Sequence, residues 1–298
     1  MRPIRGWRDA LTVILFLTPA LALVGLFIVW PAVWAVAQSF TNRSLTGASA
    51  RHVEFVGLDN YARLLRDDDF RSSFWRTAWF VIVSAIIGQT VVGFLIAYLM
   101  AERPRWRLRF GAAFAAIFVL PLAVPETVAA LAWASMANGT DDGMLNRLLA
   151  TIGLGPVRWL QDYAFATVSV VNIWRGISFA MVLFAAAFAG LPQQVLEASV
   201  VDGASGWQQL RQIILPILRP QILIFLMLTT ITSFGIFGLV YFLTRGGPGN
   251  ETELVGIYIY NQAFRFFEIG YGSAAGVLLL LILLPLGAVY VRLMKDQA

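Results

Sequence analysis

Residues 191–216 read LPQQVLEASVVDGASGWQQLRQIILP. On either side of this stretch the chain is apolar for about 20 residues at a time, the length a helix needs to cross a bilayer core. A connector between neighbouring antiparallel helices normally takes a few residues. Here the whole segment 191–219 separates one apolar run from the next. Its pattern is ordered. Pro192 opens a short helix, and Asp202 with Gly203 makes a turn. Trp207, Leu210, Ile213 and Ile214 then recur at helical spacing, with Pro216 expected to end that second helix. Ala198, Gly203, Ala204 and Gly206 leave little side chain in the way of an approaching surface. A short rigid helix that exposes Glu197 reads as a docking element for a partner. An amphipathic helix lying on lipid would carry Lys and Arg along its polar face, which this one does not.

Outward from this loop, six runs qualify as membrane spans: 11–37, 74–100, 111–135, 164–190, 220–243 and 271–292. The expected fold class is therefore all-α integral membrane, one domain over residues 1–298. Composition agrees. Hydrophobic residues make up 59% of the 298, and charged residues 13%. A soluble domain carries about 25% charged residues. Mean hydropathy is +0.73. The first run is much longer than the roughly 7–15 apolar residues of a signal peptide, so it reads as a span. Pro121 and Pro125 are expected to bend the third run.

The same composition excludes several chemistries. There is no cysteine, and His52 is the only histidine, so Cys and His metal clusters are ruled out and no metal site is expected. No catalytic set is found either. A phosphate-binding P-loop needs a lysine, and the only one is Lys295, next to Asp296. Any ATP is bound by another chain, and no cofactor is expected in this one. The net charge of +5 comes from arginines set between apolar runs, a pattern of membrane topology rather than of nucleic-acid binding. Arg2, Arg5 and Arg8, then Arg103, Arg105, Arg107 and Arg109, then Arg292 and Lys295 all fall on one side of a six-span chain. That side, with both termini, is expected to be cytoplasmic. The opposite loops are balanced or acidic, with Asp67, Asp68, Asp69, Asp141, Asp142, Glu251 and Glu253. In the first of them, Asp59 is expected to cap a short helix with Leu58, Tyr61, Leu64 and Leu65 on one face.

The docking segment carries a family resemblance. Glu197-Ala198-Ser199, Asp202-Gly203-Ala204 and Ile214-Leu215-Pro216 resemble the EAA loop of ABC importer permeases, with the same spacing from Glu197 to Gly203 and from Gly203 to Pro216. Ser199 stands where the pattern has a second alanine. The segments Phe55–Tyr61, Leu243–Pro248 and Tyr258–Phe264 resemble loops of permeases in the carbohydrate (maltose/sn-glycerol-3-phosphate) class. The resemblance implies a type I importer permease in the prokaryotic cytoplasmic membrane, working by alternating access on a sugar or related polyhydroxylated solute. It implies a second permease subunit, two copies of a cytoplasmic ABC ATPase holding Mg-ATP, and an extracytoplasmic solute-binding protein, all assembled in membrane lipid. It also implies that Glu197, Ala198, Asp202, Gly203, Ala204, Leu215 and Pro216 form the ATPase-coupling element. A glycerol-phosphate or other non-sugar solute is the alternative within this class. A secondary transporter would show proton-relay residues and no docking loop.

Ionisable groups inside spans are costly and read as functional by default. Glu126 and Arg175 are the two that stand out, in the third and fourth runs. They are expected to pair across helices or to share one aqueous cavity. The resemblance extends to the solute path, implying Trp174, Arg175, Gly176 and Phe179 on the fourth span and Thr229 and Ser233 on the fifth. Thr229 and Ser233, four residues apart, share a helix face. Arg175 replaces an apolar residue of the maltose type, which points away from maltose and toward an anionic or differently shaped hydroxylated solute.

Overall fold

The computed structural model describes residues 7–101 and 111–295. Arg2, Arg5, Glu102, Arg103, Arg105, Arg107, Arg109 and Asp296 lie outside these residues, as does the side chain of Arg8. Among the described residues every regular element is helical, apart from an isolated bridge between Thr41 and Phe55. In chain order we label α1 (Ile14–Ser39), α2 (Asp59–Arg66), α3 (Asp68–Ala101), α4 (Ala115–Ala123) and α5 (Glu126–Met136). Then come α6 (Ala164–Ala189), α7 (Gln193–Val201), α8 (Gly206–Phe234), α9 (Gly238–Leu243) and α10 (Ile269–Lys295). Five of these are long and apolar enough to cross a membrane, or six if α4 and α5 count as one broken span.

The breaks have sequence causes. α4 and α5 meet at 111°. Pro125 holds an extended ψ of 142° there, and a proline both disfavours helix in the residue before it and removes an N–H. Proline explains two wider turns as well. Gly25–Val29 and Leu210–Ile214 are wound as π-helix, each just ahead of a proline, Pro31 and Pro216. Opening the turn relieves the clash between the proline ring and the carbonyl four residues back. For this reason Pro216 does not end the second helix of the docking segment, as its sequence suggests. α8 runs on through Pro216 and Pro220 and stops at Phe234.

Contacts group the chain into two units, Met1–Asp67 with Ile259–Ile282, and Asp68–Tyr258 with Leu283–Ala298. In the first, α2 is anchored by Asn60, whose Nδ2 donates to the carbonyls of Ser39 at 2.9 Å and Thr41 at 2.8 Å. Tyr61 shares a 2.6 Å hydrogen bond with Ser39, and Leu64 is fully buried. Two local expectations fail here. Asp59 makes no capping bond because Leu58 occupies the cap position, and Leu58 and Leu65 point outward. Arg63 instead ties the helix down, through Glu268 at 2.7 Å and over the ring of Tyr271 at 4.1 Å.

In the second unit, α3 and α6 cross closely around Phe94, Ala97, Ala180, Phe184 and Phe188, with Ile214, Leu218 and Phe225 of α8 completing the core. Gly93 permits the approach, because a Cβ there would run into Ala180. Small residues are what allow such contact between membrane helices. Gly93→Val is expected to cost about 1–3 kcal/mol through overpacking. It should lower the unfolding temperature of the detergent-solubilised protein, whereas Gly25→Ala, where nothing among the described residues lies within 4 Å, should not.

Candidate functional site: a polar cavity and a capped loop

The second unit contains a cavity of about 660 Å³ between α3, α6, α8 and the α4–α5 break. Its polar lining comes from Gln89, Glu126, Asn172, Arg175, Thr229, Thr232 and Ser233, and its apolar part includes Leu122, Phe179 and Phe237. Several of these polar groups have a local reason to be there. Val81–Gln89 is wound as π-helix within α3 and delivers Gln89 at its end. Wide turns of this kind are often found at functional sites. Gln89 accepts from the Thr229 hydroxyl at 2.6 Å and donates to the Asn172 carbonyl at 3.0 Å. The Asn172 amide in turn donates to Ser84 at 2.8 Å. The chain of bonds joins α3, α6 and α8 in a buried seam, where an unpaired amide would be expensive. Gly176 makes the seam possible, since a Cβ at that position would overlap the Gln89 side chain.

Glu126 sits at the first turn of α5, beside the break from α4. Its Oε1 accepts from the Leu239 backbone N–H at 2.5 Å, at the start of α9. Gly238 brings α9 close enough for this, with its Cβ position 3.1 Å from the same oxygen. Oε2 of Glu126 lies 3.7 Å from Nη2 of Arg175, an ion pair too long to be a hydrogen bond. The two side chains are 31% and 38% exposed, both into the cavity.

The residues singled out by sequence therefore separate. Arg175, Gly176, Phe179, Thr229, Ser233 and Glu126 all line one cavity. Trp174 is not among its lining residues. It turns instead to Trp133, with ring centroids 5.7 Å apart and planes at 68°. Asn172, Arg175, Gly176 and Phe179 keep the i, i+3, i+4, i+7 spacing of one helix face, and Trp174 falls off that stripe. Gln89 is not singled out by the sequence, and Asn172 enters only as the first residue of the fourth-span segment that the resemblance sets along the solute path. A lone polar residue inside an otherwise apolar run was the available signal.

The segment 193–216 is a second constructed feature. α7 ends in a helix-terminating loop in which Gly203 holds φ +80°. The Ala204 N–H bonds to the Ser199 carbonyl at 2.9 Å, and the Gly203 N–H to that of Val200 at 3.1 Å. This is the paired arrangement that satisfies the last carbonyls of a helix. Ser205 and Gln208 form a reciprocal capping box at the start of α8, which the S-x-x-Q spacing carries in the sequence. Ser199 is only 6% exposed and accepts from the Gln209 side chain at 2.9 Å, pinning α7 to α8. Glu197, Ala198, Asp202 and Gly203 remain exposed, beside uncovered Val201 and Trp207. Ala204 and Leu215 are half-buried and Pro216 is exposed.

The family of binding-protein-dependent transport system inner membrane components matches residues 90–296. The chain belongs to that family. As one of its members it is a multi-pass inner-membrane permease, a transport component rather than a catalytic subunit. This permease is 32% identical over 297 residues to the sulfoquinovosyl glycerol transport system permease of Agrobacterium fabrum, covering 97% of this chain and 92% of that one. It is also 32% identical to the trehalose/maltose transport system permease of Thermococcus litoralis, covering 96% and 94%. In fold the permease resembles a chain of the bacterial alginate ABC transporter solved with an alginate-bound periplasmic protein. The TM-score is 0.80 at 22% identity, with 97% of this chain and 96% of that one covered.

Proposed function

We propose that this permease carries a sugar or related polyhydroxylated solute across the membrane by alternating access, driven by ATP hydrolysis on partner subunits. The observation that carries this reading is the cavity of about 660 Å³, in which amide, hydroxyl and guanidinium groups face a space surrounded by apolar helices. Polar groups facing inward at membrane depth mark solute paths. Phe179, 40% exposed, adds an aromatic face of the sort a sugar ring packs against. The names of the relatives, which include permeases for trehalose/maltose and for sulfoquinovosyl glycerol, favour the same solute class.

In this reading the chain is one membrane domain with both termini in the cytoplasm. It pairs with a second, non-identical permease subunit and with two ATPase copies that hold Mg-ATP. An extracytoplasmic solute-binding protein delivers the solute. The element 191–219 couples the ATPase to the spans, with Glu197, Ala198, Asp202, Gly203, Ala204, Leu215 and Pro216 at or beneath the docking face. The exposed Glu197, Val201 and Trp207 and the internally braced loop support this role. A rigid element continuous with α8 can pass movement directly into a cavity wall, because Thr229 and Ser233 lie on the same helix. The test is uptake of labelled sugars and polyols by the complete importer in proteoliposomes. Accumulation that needs both the binding protein and ATP is the expected result. A failure to move any such solute, despite ATP hydrolysis stimulated by the binding protein, would remove the solute assignment.

A further inference from the structure

The polar groups of the cavity are not evenly engaged. The Thr229 hydroxyl donates to Gln89, and the Gln89 amide donates to the Asn172 carbonyl. The Asn172 amide donates to Ser84, and the Thr232 hydroxyl to the Leu228 carbonyl at 2.9 Å. These neutral donors already have acceptors within the protein. Arg175 is different. Among the described residues its guanidinium donates no hydrogen bond, and its one ionic neighbour is Glu126 at 3.7 Å. A guanidinium offers five N–H donors in a rigid planar fork.

Glu126 is not placed to take up that fork. Its Oε1 is held by the Leu239 N–H at 2.5 Å, and Gly238 packs against the carboxylate. Turning toward Arg175 for a two-pronged contact would break the bond that fixes α9. Glu126 therefore balances the charge of Arg175 without satisfying its donors. In a cavity walled by apolar helices, charged donors that no protein acceptor engages favour a ligand bearing a concentrated acceptor. A neutral polyol presents donors and acceptors alike. An oxyanion presents acceptors only, in the geometry the guanidinium fork matches.

From this we infer that the solute carries an oxyanion, a carboxylate or its sulfonate or phosphate equivalent, on a hydroxylated body, and that Arg175 is the residue that selects it. The inference rests on the solute-path reading above and narrows its substrate class. Glu126 acts as the counter-charge that keeps Arg175 tolerable at membrane depth between transport cycles. Arg175 meets the oxyanion, and the phenyl face of Phe179 and the Ser233 hydroxyl remain for the rest of the solute.

The test uses the purified complete importer, the permease pair with its ATPase subunits, and measures solute contact by saturation-transfer NMR. The probes are glucuronate and glucose, matched except for the carboxylate. The expected result is a preference for glucuronate in the wild type of about tenfold, the size an added charge-assisted contact produces. Arg175→Gln removes the charge while keeping a polar side chain, and the preference should vanish. Pairing it with Glu126→Gln avoids a stranded carboxylate, and the preference should remain absent. Binding of both probes alike, binding of neither, or a glucuronate preference that survives Arg175→Gln overturns the inference. So does a preference that returns in the double variant, because Arg175 would then serve only to satisfy Glu126. Stimulation of ATP hydrolysis by the binding protein is read in the same preparation. If it is present without any preference for glucuronate, the oxyanion inference fails while the importer reading stands. If it is absent, the importer reading itself has failed.

Discussion

Gly203→Val is expected to uncouple the permease from its ATPase, lowering solute uptake and binding-protein-stimulated ATP hydrolysis about tenfold or more, within the range of energetic coupling between linked sites. Two effects combine. Gly203 holds φ +80°, and a β-branched residue in that region is a true outlier, costing about 1–2 kcal/mol. That strain falls on the turn whose two backbone bonds close α7. The second effect is external. Among the described residues nothing lies within 4 Å of a Cβ placed at Gly203. A clash of the new side chain is therefore expected with a docked ATPase. Gly203→Asn separates the two, because asparagine tolerates the left-handed region far better. If strain alone matters, Asn restores coupling. If close approach of the ATPase matters, Asn stays impaired and the ATPase co-purifies poorly with both variants. Glu197→Lys reverses the charge on the exposed face and should release the ATPase without destabilising the fold. Normal ATPase retention and uptake in Gly203→Val and Glu197→Lys would remove the docking role.

The other large effect is expected at Gly176. Even Gly176→Ala places a methyl group on the Gln89 amide. Gln89 must then leave its bonds to Thr229 and to the Asn172 carbonyl. Overpacking costs about 1–3 kcal/mol. Each hydrogen bond lost inside a membrane protein adds about 0.6 kcal/mol. The variant should show a markedly lower unfolding temperature and little or no uptake. Adding Gln89→Ala makes room for the methyl group. Stability should then recover in part, since the clash is gone. Uptake should not, since the cavity has lost an amide and released the Thr229 hydroxyl. Recovery of both would mean that the seam is packing alone.

What could be read from sequence follows how locally each feature is encoded. The apolar runs are contiguous and so visible in the sequence, whereas the 111° break that divides the third of them into α4 and α5 is not. The turn at Gly203 lies within a few residues of the helix it ends. Glu126 and Arg175 stand out because ionisable residues are rare in such runs, although only packing gives their 3.7 Å separation. Gln89 shows the limit. Its partners are 83 and 140 residues away, and no local period announces them. The end of α8 at Phe234 was equally hidden, since residues 220–243 read as one apolar run. The break at Gly235–Phe237 serves a long-range contact, the approach of α9 to Glu126. Trp174 shows the reverse case: the family resemblance sets it on the solute path, whereas its ring lies against Trp133 and away from this cavity.

The decisive measurement is solute accumulation in proteoliposomes holding this permease, its partner permease, the ATPase and the binding protein. Accumulation is expected only with ATP on the ATPase side, lost with Glu197→Lys and unaffected when the proton gradient is collapsed. Accumulation driven by a proton gradient without ATP, and insensitive to Glu197→Lys, would contradict ATP-driven import.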